Sequence, residues 1–294
     1  MAVQFSPSGL VLLNCCLALI MFGISLDIRK DHFTALLSQK KAVATGLISQ
    51  IILLPAITLL LVKFLPVSPG IALGMILVAA CPGGNVSNFF SMLAKGNVAL
   101  SVTLTAISSL IAFLITPASF FFCSSLIPAL SGEVWAMEIS FSELFLNMFL
   151  ILLLPLVAGM WYGAVKPDEA GKIAKILRPL SMVLLFGFIA VAFYNNRAVF
   201  MAEIGIVFWI VLLHNGLALY AAYLFSKLLR NNESNSRTIA IETGIQNSGL
   251  ALVLIFTFFG GNKDMALIAA WWGIWHLISG MVFATVMRRI PIKT

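Results

Sequence analysis

The stretch Glu242-Thr243-Gly244-Ile245-Gln246-Asn247-Ser248-Gly249 places polar side chains and two glycines where the surrounding sequence predicts a membrane-spanning helix. Residues 250–256, which follow it, are all apolar. An ionisable side chain in the middle of a membrane span costs about 2.5–3.5 kcal/mol on insertion scales, so residues of this kind usually serve a function. The stretch therefore predicts a site inside the membrane that is built around Glu242.

The composition of the whole chain indicates an all-α polytopic membrane protein. Of its 294 residues, 61% are hydrophobic and 10% are charged, and the mean hydropathy is +1.05. About 20 apolar residues in a helix cross the bilayer core, and windows of this length recur along the chain. We predict one membrane domain over residues 1–294 with nine spans, at 8–28, 42–63, 69–95, 98–126, 140–164, 178–194, 200–226, 236–259 and 265–288.

The basic residues predict how these spans are oriented, because Lys and Arg concentrate in cytoplasmic loops. With the N-terminus outside and the C-terminus inside, the outer loops hold three of the 18 Lys and Arg residues: Lys63, Arg197 and Lys263. The other fifteen fall in inner loops: Arg29, Lys30, Lys40, Lys41, Lys95, Lys166, Lys172, Lys175, Arg178, Lys227, Arg230, Arg237, Arg288, Arg289 and Lys293. The expected location is the inner (plasma) membrane of a cell.

The formal net charge of +7 does not indicate a nucleic-acid partner, because the basic residues are spread over short loops beside helix ends. Nothing in the sequence indicates an obligatory protein partner. The four cysteines, Cys15, Cys16, Cys81 and Cys123, all fall within predicted spans, and their spacing suits neither a disulfide framework nor a metal site.

A second interruption, Cys81-Pro82-Gly83-Gly84-Asn85-Val86-Ser87-Asn88, falls in the middle of the third span. Proline and paired glycines break a helix, and unwound backbone persists in a membrane only inside protein or beside a wet cavity. The third span runs inward and the eighth runs outward, and each is third in a block of four spans. Spans 1–4 and 6–9 therefore predict an inverted repeat with two broken, crossing helices, an arrangement typical of secondary transporters.

These residues carry a resemblance to the bile acid:sodium symporter family, and the chain is similar to bacterial members in a nine-span form. The resemblance runs from the first span to the last and rests on the two interruptions and on four further motifs: residues 95–103, Ile20-Met21-Phe22-Gly23, Leu213-His214-Asn215-Gly216 and Trp275-His276.

The resemblance implies two Na⁺ sites behind the crossing, with the ions as coupling partners and no cofactor or other metal. The first site would use Ser87, Asn88, Ser101, Thr105 and Glu242. The second would use Gln50, Glu242, Gln246 and the backbone carbonyls of Thr243 and Ile245. Ser101 and Thr105 also lie four residues apart, on one face of a helix. A single carboxylate shared by two cations would leave the site near neutral or positive and able to attract an anion.

The expected substrate is a small organic anion or a bile-acid-like molecule, and the candidate contacts are Gly84, Asn85, Gly244, Asn247 and His276. Asn85 stands where the family pattern has a small Thr, and Leu277 stands where it has Asn, so a relative's substrate does not transfer to this chain. His214 and His276 could equally be structural hydrogen-bonding groups. The expected mechanism is alternating access, with a core (about 42–126 and 200–288) moving against a panel (about 8–28 and 140–194).

Three other functions deserve comparison with a sodium symporter. A channel or receptor would need a continuous polar pore or a signalling domain, and the sequence indicates neither. An intramembrane enzyme could use Glu242 and His276 as acid and base, but the sequence contains no nucleophile–His–carboxylate arrangement or metal motif. The nearest alternative is a proton-coupled organic-anion transporter or exporter, in which Glu242 would titrate in place of binding sodium.

Overall fold

The computed structural model describes residues 7–26, 28, 39–136, 140–195 and 197–292. The predicted inner-loop cations Arg29, Lys30 and Lys293 lie outside these residues. Within the described part of the chain the protein is almost entirely helical, and the β pairing found there is an isolated antiparallel bridge between Gly83 and Gln246. The prediction of an all-α protein is confirmed.

Twelve helices are found in the described residues. In chain order they are α1 (Pro7–Ser25), α2 (Lys40–Phe64), α3 (Pro69–Ala80), α4 (Val86–Leu93), α5 (Val98–Ser125), α6 (Pro128–Ala136), α7 (Phe141–Val165), α8 (Pro167–Asn195), α9 (Arg197–Leu228), α10 (Glu233–Gly244), α11 (Ser248–Phe258) and α12 (Lys263–Arg289). Helix α8 begins eleven residues before the predicted sixth span, and α6 was not predicted.

Five segments of the described chain are long and apolar enough to cross a membrane: α2, α5, α7, the part of α9 at Ile204–Leu228, and α12. The shorter apolar helices include α3 and α11. These findings are consistent with a polytopic membrane protein. Among the described residues, five of the nine predicted spans thus correspond to a single helix that is long and apolar enough to cross a membrane.

Both predicted interruptions are observed as helix breaks. Residues 81–85 separate α3 from α4, and residues 245–247 separate α10 from α11. Cys81 and Ile245 leave the helical region for extended backbone. After each break a new helix starts at an asparagine, Asn85 or Asn247, and the Asn247 side chain accepts a hydrogen bond from the Leu250 N–H.

The half-helices are packed in the centre of the molecule. One apolar cluster joins α3, α11 and α12, and it also includes Leu17 and Met21 of α1 and Leu144 of α7. A second cluster packs α4 and α10 against α12, around Phe90 and Ile241. The helices α1, α7 and α8 also pack against one another, in a separate small cluster around Leu26, Ala170 and Ala174. This packing buries the unwound backbone of both breaks inside protein.

One predicted loop residue lies elsewhere. Arg237 was expected in an inner loop, but it belongs to α10 and its side chain is completely buried. The residue lies only four positions after the start of the helix, so its charge and its position along the chain suggest a surface location. Helix ends that pack around it, which are distant in sequence, account for its burial.

Candidate functional site

The two helix breaks satisfy each other's backbone hydrogen bonds. The Gly84 N–H donates to the Ile245 carbonyl oxygen at 2.8 Å, and the Asn247 N–H donates to the Pro82 carbonyl oxygen at 2.9 Å. Lipid offers no partners to unwound backbone, so such segments need partners from the protein. The breaks therefore hold each other in place at the point where the candidate site is built.

Glu242 lies beside this crossing, two residues before the end of α10, and its side chain is completely buried. Its Oε1 accepts hydrogen bonds from the Ser87 and Ser101 hydroxyls, each at 2.5 Å. The Thr105 hydroxyl lies 3.1 Å from Oε1 and 3.0 Å from Oε2. Hydrogen bonds to a charged acceptor are stronger than neutral ones and offset part of the cost of burying a carboxylate. Four of the five residues predicted for the first sodium site are thus in direct contact.

Gln50 approaches the same carboxylate from α2. It lies in a π-helical turn, Ser49–Leu53, shortly before Pro55. Its Nε2 donates to the Glu242 backbone oxygen at 3.0 Å and lies 3.4 Å from Oε2. Single π turns of this kind occur frequently at functional sites. The structure therefore joins a residue of the predicted second site to Glu242.

The remaining residues of the predicted second site surround the end of α10. The Gln246 Nε2 donates to the Thr243 carbonyl oxygen at 2.8 Å, and the Ile245 carbonyl oxygen accepts the Gly84 N–H. A carbonyl oxygen has two lone pairs, so each of these carbonyls keeps one for another partner. Gln246 itself is completely buried.

Three of the residues predicted for the sodium sites have a buried amide oxygen that lacks a hydrogen-bond partner among the described residues: Gln50 Oε1, Asn88 Oδ1 and Gln246 Oε1. Asn215 Oδ1, outside the predicted sites, also lacks one. A buried acceptor without a donor costs free energy, and each such atom in a folded protein calls for an explanation. All three belong to side chains that the family resemblance assigns to sodium. Oxygen atoms of this kind, beside one carboxylate, suit a hard cation.

Asn85 follows one partner of the bridge, Gly83, and Asn247 follows the other, Gln246. A half-helix begins at each asparagine. Both are partly exposed, in contrast to their completely buried neighbour Gln246. The N-terminus of a helix carries partial positive charge and unpaired N–H groups, so it favours an anion. These two predicted substrate contacts therefore lie at positions suited to a carboxylate.

The other predicted substrate contacts are buried. A Cβ atom at Gly84 would lie 3.0 Å from the Gln246 carbonyl oxygen, and one at Gly244 would lie 2.5 Å from the Leu219 side chain. Both glycines thus permit close packing at the breaks. His276 of α12 is 7% exposed, and no hydrogen bond between described residues joins its side chain to either break. The structure does not bring His276 together with Asn85 and Asn247 by hydrogen bonds.

His214 has a structural partner. Its Nε2 lies 2.7 Å from the Thr58 hydroxyl, and its ring packs edge-on against Trp272 with 4.8 Å between ring centroids. The residue is completely buried. The Thr58 hydroxyl donates its own proton to the Leu54 carbonyl oxygen at 2.8 Å, so it accepts the hydrogen bond from His214. This bond joins α9 to α2.

Ser108 belongs to the site but was not predicted. Its hydroxyl lies 3.4 Å from the Gly83 backbone nitrogen, within the first break. Ser101, Thr105 and Ser108 follow one another at four and three residues, which is the spacing of one helix face. Extending the pair Ser101 and Thr105 by one further turn would have found it.

Two further contacts with α10 escaped sequence reasoning. Ser49 and Thr243 share a hydrogen bond of 2.8 Å between their hydroxyls, and the Asn215 Nδ2 donates to the Gly244 carbonyl oxygen at 2.7 Å. Asn215 belongs to the motif Leu213-His214-Asn215-Gly216, but no local signal in the sequence connects it to the break. Ser49 directly precedes Gln50, which is the one hint that the sequence offers.

A small cleft lies beside Gln50, between α2, the first break and α5. Its lining is mostly apolar, with hydroxyl groups contributed along one face of α5. The lining residues that bear on the site are Gln50, Cys81, Pro82, Ser108, Thr116 and Ser119.

Comparison with known proteins identifies the family. A family model described as the sodium bile acid symporter family matches residues 14–203, which is more than half of the chain. The chain belongs to the sodium bile acid symporter family. A sodium-dependent transporter of Bacillus subtilis, YocS, is 35% identical over 272 residues, covering 92% of this chain and 80% of the relative.

Two other members of the family show its breadth. A probable chloroplastic sodium/metabolite cotransporter of Arabidopsis thaliana, BASS1, is 32% identical over 94% of this chain and 67% of its own length. Sodium/bile acid cotransporter 5 of Rattus norvegicus is 27% identical over 86% of this chain and 56% of its own length. Membership of the family confirms the predicted resemblance, and it makes the protein a multi-pass membrane transporter and not an enzyme.

Proposed function

We propose that the protein is a sodium-coupled symporter that carries a small organic anion by alternating access. It would bind two Na⁺ ions around Glu242 and use no cofactor. The observation that carries the proposal is the buried Glu242 carboxylate, which accepts hydrogen bonds from three hydroxyls; the amide oxygens of Gln50, Asn88 and Gln246, which lack partners in the described residues, support it.

The ends of the four half-helices support this division of roles. Helices α3 and α10 end at the crossing, and their C-termini carry partial negative charge that favours a cation. Helices α4 and α11 begin there, and their N-termini favour an anion. In transporters with broken helices, unwound carbonyls and C-terminal ends coordinate Na⁺ while N-terminal ends hold anionic groups. Glu242 lies on the cation side, whereas Asn85 and Asn247 lie on the anion side.

The names of three relatives favour sodium as the coupling ion, because YocS, BASS1 and cotransporter 5 are each described as sodium-dependent or sodium-coupled. Their names differ in the molecule transported, which ranges from an unspecified metabolite to bile acid. We therefore propose an organic anion without choosing among these chemistries.

For the architecture we propose nine spans in an inverted repeat. The protein would lie in the inner (plasma) membrane, with its N-terminus outside the cell and its C-terminus in the cytoplasm. The antiparallel bridge supports the inversion, because the chain passes through the two breaks in opposite directions. We also propose that α1, α7 and α8 form the panel. Their contacts with one another around Leu26, Ala170 and Ala174, in a cluster of their own, support this grouping.

The alternative is a transporter in which Glu242 binds a proton instead of sodium. Its carboxylate is buried among hydroxyl donors, which a protonation site would also use. The unpartnered oxygens of Gln50, Asn88 and Gln246 favour a metal ion, since a single proton on Glu242 would leave them unsatisfied.

The decisive experiment measures thermal unfolding of the purified protein in NaCl and in KCl at the same pH and ionic strength. A sodium symporter should unfold at a higher temperature in NaCl, by an amount that saturates with concentration. Equal unfolding temperatures in the two salts, with a strong dependence on pH, would favour proton coupling instead. A screen of small carboxylates, repeated in each salt, would then identify the anion by added stabilisation that requires sodium.

A further inference from the structure

Among the Lys and Arg residues whose burial the structure describes, Arg237 alone has a completely buried side chain. It lies in α10 five residues before Glu242, which is about 7.5 Å along a helix. A buried guanidinium is unfavourable unless its donors are paired with good geometry. The proposed transport mechanism gives this residue no role.

The Arg237 guanidinium bonds to three different elements. Its Nε donates to Glu233 Oε1 at 3.0 Å, one turn earlier in α10. Its Nη1 donates to the Ala94 carbonyl oxygen at 3.0 Å and its Nη2 to the Ile290 carbonyl oxygen at 2.9 Å. Ala94 and Ile290 are the residues that cap the C-terminal ends of α4 and α12. Carbonyls at helix C-termini are unpaired within the helix and attract a cation.

The turn between α4 and α5 docks on the same part of α10. The Asn97 N–H donates to the Thr238 hydroxyl at 2.8 Å, and the Asn97 Nδ2 donates to Asn235 Oδ1 at 2.8 Å. Gly96 makes this approach possible, because a Cβ atom there would lie 2.6 Å from the Thr238 hydroxyl oxygen. The motif Lys95-Gly96-Asn97 thus has a defined contact. We call Ala94, Gly96, Asn97, Asn235, Arg237 and Thr238 the clasp.

Glu233 holds the charge that Arg237 needs. Burial raises the pKa of this carboxyl, but hydrogen bonds from Arg237, Tyr223 and Lys227 outweigh burial and keep the pKa below its ordinary value of 4.5. Glu233 therefore stays ionised at neutral pH, and the guanidinium has a permanent counter-charge at one side and two helix ends at the other.

The clasp and the bridge attach α4 to α10 at opposite ends. The bridge joins the start of α4 to the end of α10, whereas the clasp joins the end of α4 to the start of α10. Ser87 and Glu242 lie between these two attachments. The apolar contacts of Phe90 and Ile241 also hold the helices together, but apolar contacts are not directional and fix register less closely than hydrogen bonds.

We propose that Arg237 is a positioning residue for the sodium site. Through the clasp it fixes the register of α4 against α10, which brings the Ser87 hydroxyl onto the Glu242 carboxylate. The inference rests on the proposed sodium coupling. It assigns the arginine no contact with sodium or with substrate, so its effect passes through the two half-helices.

The test is a titration of the purified protein with NaCl, at ionic strength kept constant with KCl, that follows the unfolding temperature. In Arg237→Gln we expect the NaCl concentration for half-maximal stabilisation to rise by about ten- to a hundredfold, as for other residues that orient metal ligands. Arg237→Lys should give a smaller rise, because it keeps the positive charge although its ammonium group cannot span both helix ends. Arg288→Gln, which changes an exposed arginine of α12, should leave the half-maximal concentration unchanged.

The outcomes separate this inference from the proposed function. An unfolding temperature that falls in KCl while the half-maximal NaCl concentration stays at its wild-type value would make Arg237 merely structural and overturn the inference. If wild type itself shows no difference between NaCl and KCl, the proposed sodium coupling is wrong.

A second variant serves if Arg237→Gln cannot be purified. Thr238→Val removes the bond to Asn97 and should also raise the half-maximal NaCl concentration. An unchanged value there would equally contradict the role of the clasp.

Discussion

Glu242 concentrates the chemistry of the site in one side chain. Its carboxylate accepts hydrogen bonds from Ser87, Ser101 and Thr105, and its backbone oxygen accepts one from Gln50. The three hydroxyls donate their protons to the carboxylate and still offer lone pairs to a cation. A charge buried in this way is unfavourable by itself, so a bound cation should stabilise the folded protein more here than it would at an exposed carboxylate.

Replacing Glu242 by glutamine tests that balance. The Glu242→Gln variant keeps the shape of the side chain but removes its charge, so we expect it to unfold in KCl at a temperature no lower than that of wild type. Saturating sodium, at about a hundred times its Kd, should stabilise wild type by about 2.7 kcal/mol and the variant hardly at all. Thermal unfolding in both salts measures the two effects, and Glu143→Gln, at an exposed carboxylate, is the control. A sodium response in Glu242→Gln as large as in wild type would exclude the carboxylate as a ligand.

At the scale of elements, the site depends on helices that stop and restart at chosen points. The breaks at residues 81–85 and 245–247 pair through backbone hydrogen bonds, and α2 widens into a π turn where it presents Gln50. The breaks leave backbone groups free to pair with each other beside Glu242, and the π turn carries the Gln50 side chain that contacts Glu242. The irregular turns are therefore part of the site.

Gly84 offers a direct test of the pairing between the breaks. A methyl group there would crowd the Gln246 carbonyl oxygen, so we expect Gly84→Ala to destabilise the protein by about 1–3 kcal/mol and to weaken sodium stabilisation. Gly171→Ala in α8 is the matched control, because a Cβ atom there meets nothing within 4 Å. The control should be neutral or more stable by up to about 1 kcal/mol. Equal unfolding temperatures for the two variants would argue against the tight crossing.

At the scale of the whole molecule, transport requires one group of helices to move against another. Helix α1 of the proposed panel touches α11 of the proposed core, where the Thr257 hydroxyl donates to Asn14 Oδ1 at 3.0 Å. Alternating access requires such contacts to form and break in each cycle, whereas the sodium ligands within the core should stay together.

Linking α1 to α11 should therefore stop transport without abolishing sodium binding. In a background without the four native cysteines, Asn14→Cys with Thr257→Cys would be joined by oxidation or by a short bifunctional thiol reagent. We expect uptake of the anion found in the carboxylate screen to fall to background and to recover on reduction, while sodium still raises the unfolding temperature. Uptake that continues in fully cross-linked protein would contradict movement between these helices.

Much of the fold followed from local features of the chain. Long apolar windows predicted the helices, the Pro82-Gly83-Gly84 run and Gly244 predicted the breaks, and Ser101 and Thr105 predicted a polar helix face. The beginning of α8 and the helix α6 were missed, because the first turns of α8 are polar and α6 has only 9 residues, so neither gives the hydropathy signal of a membrane span. The ligand sets came from the family resemblance, and Ser87, Ser101 and Gln50 do meet Glu242.

By itself the sequence determined where helices form, where they break and which polar residues enter the membrane, because these properties depend on side chains within a few turns of one another. Only the tertiary structure decided which residues meet. Ser87 and Glu242 are 155 positions apart, Ser49 reaches Thr243, and Arg237 is buried by the ends of α4 and α12. Contacts of this range arise when whole helices pack, and neither helix propensity nor hydropathy along the chain encodes the partner that a given face will find.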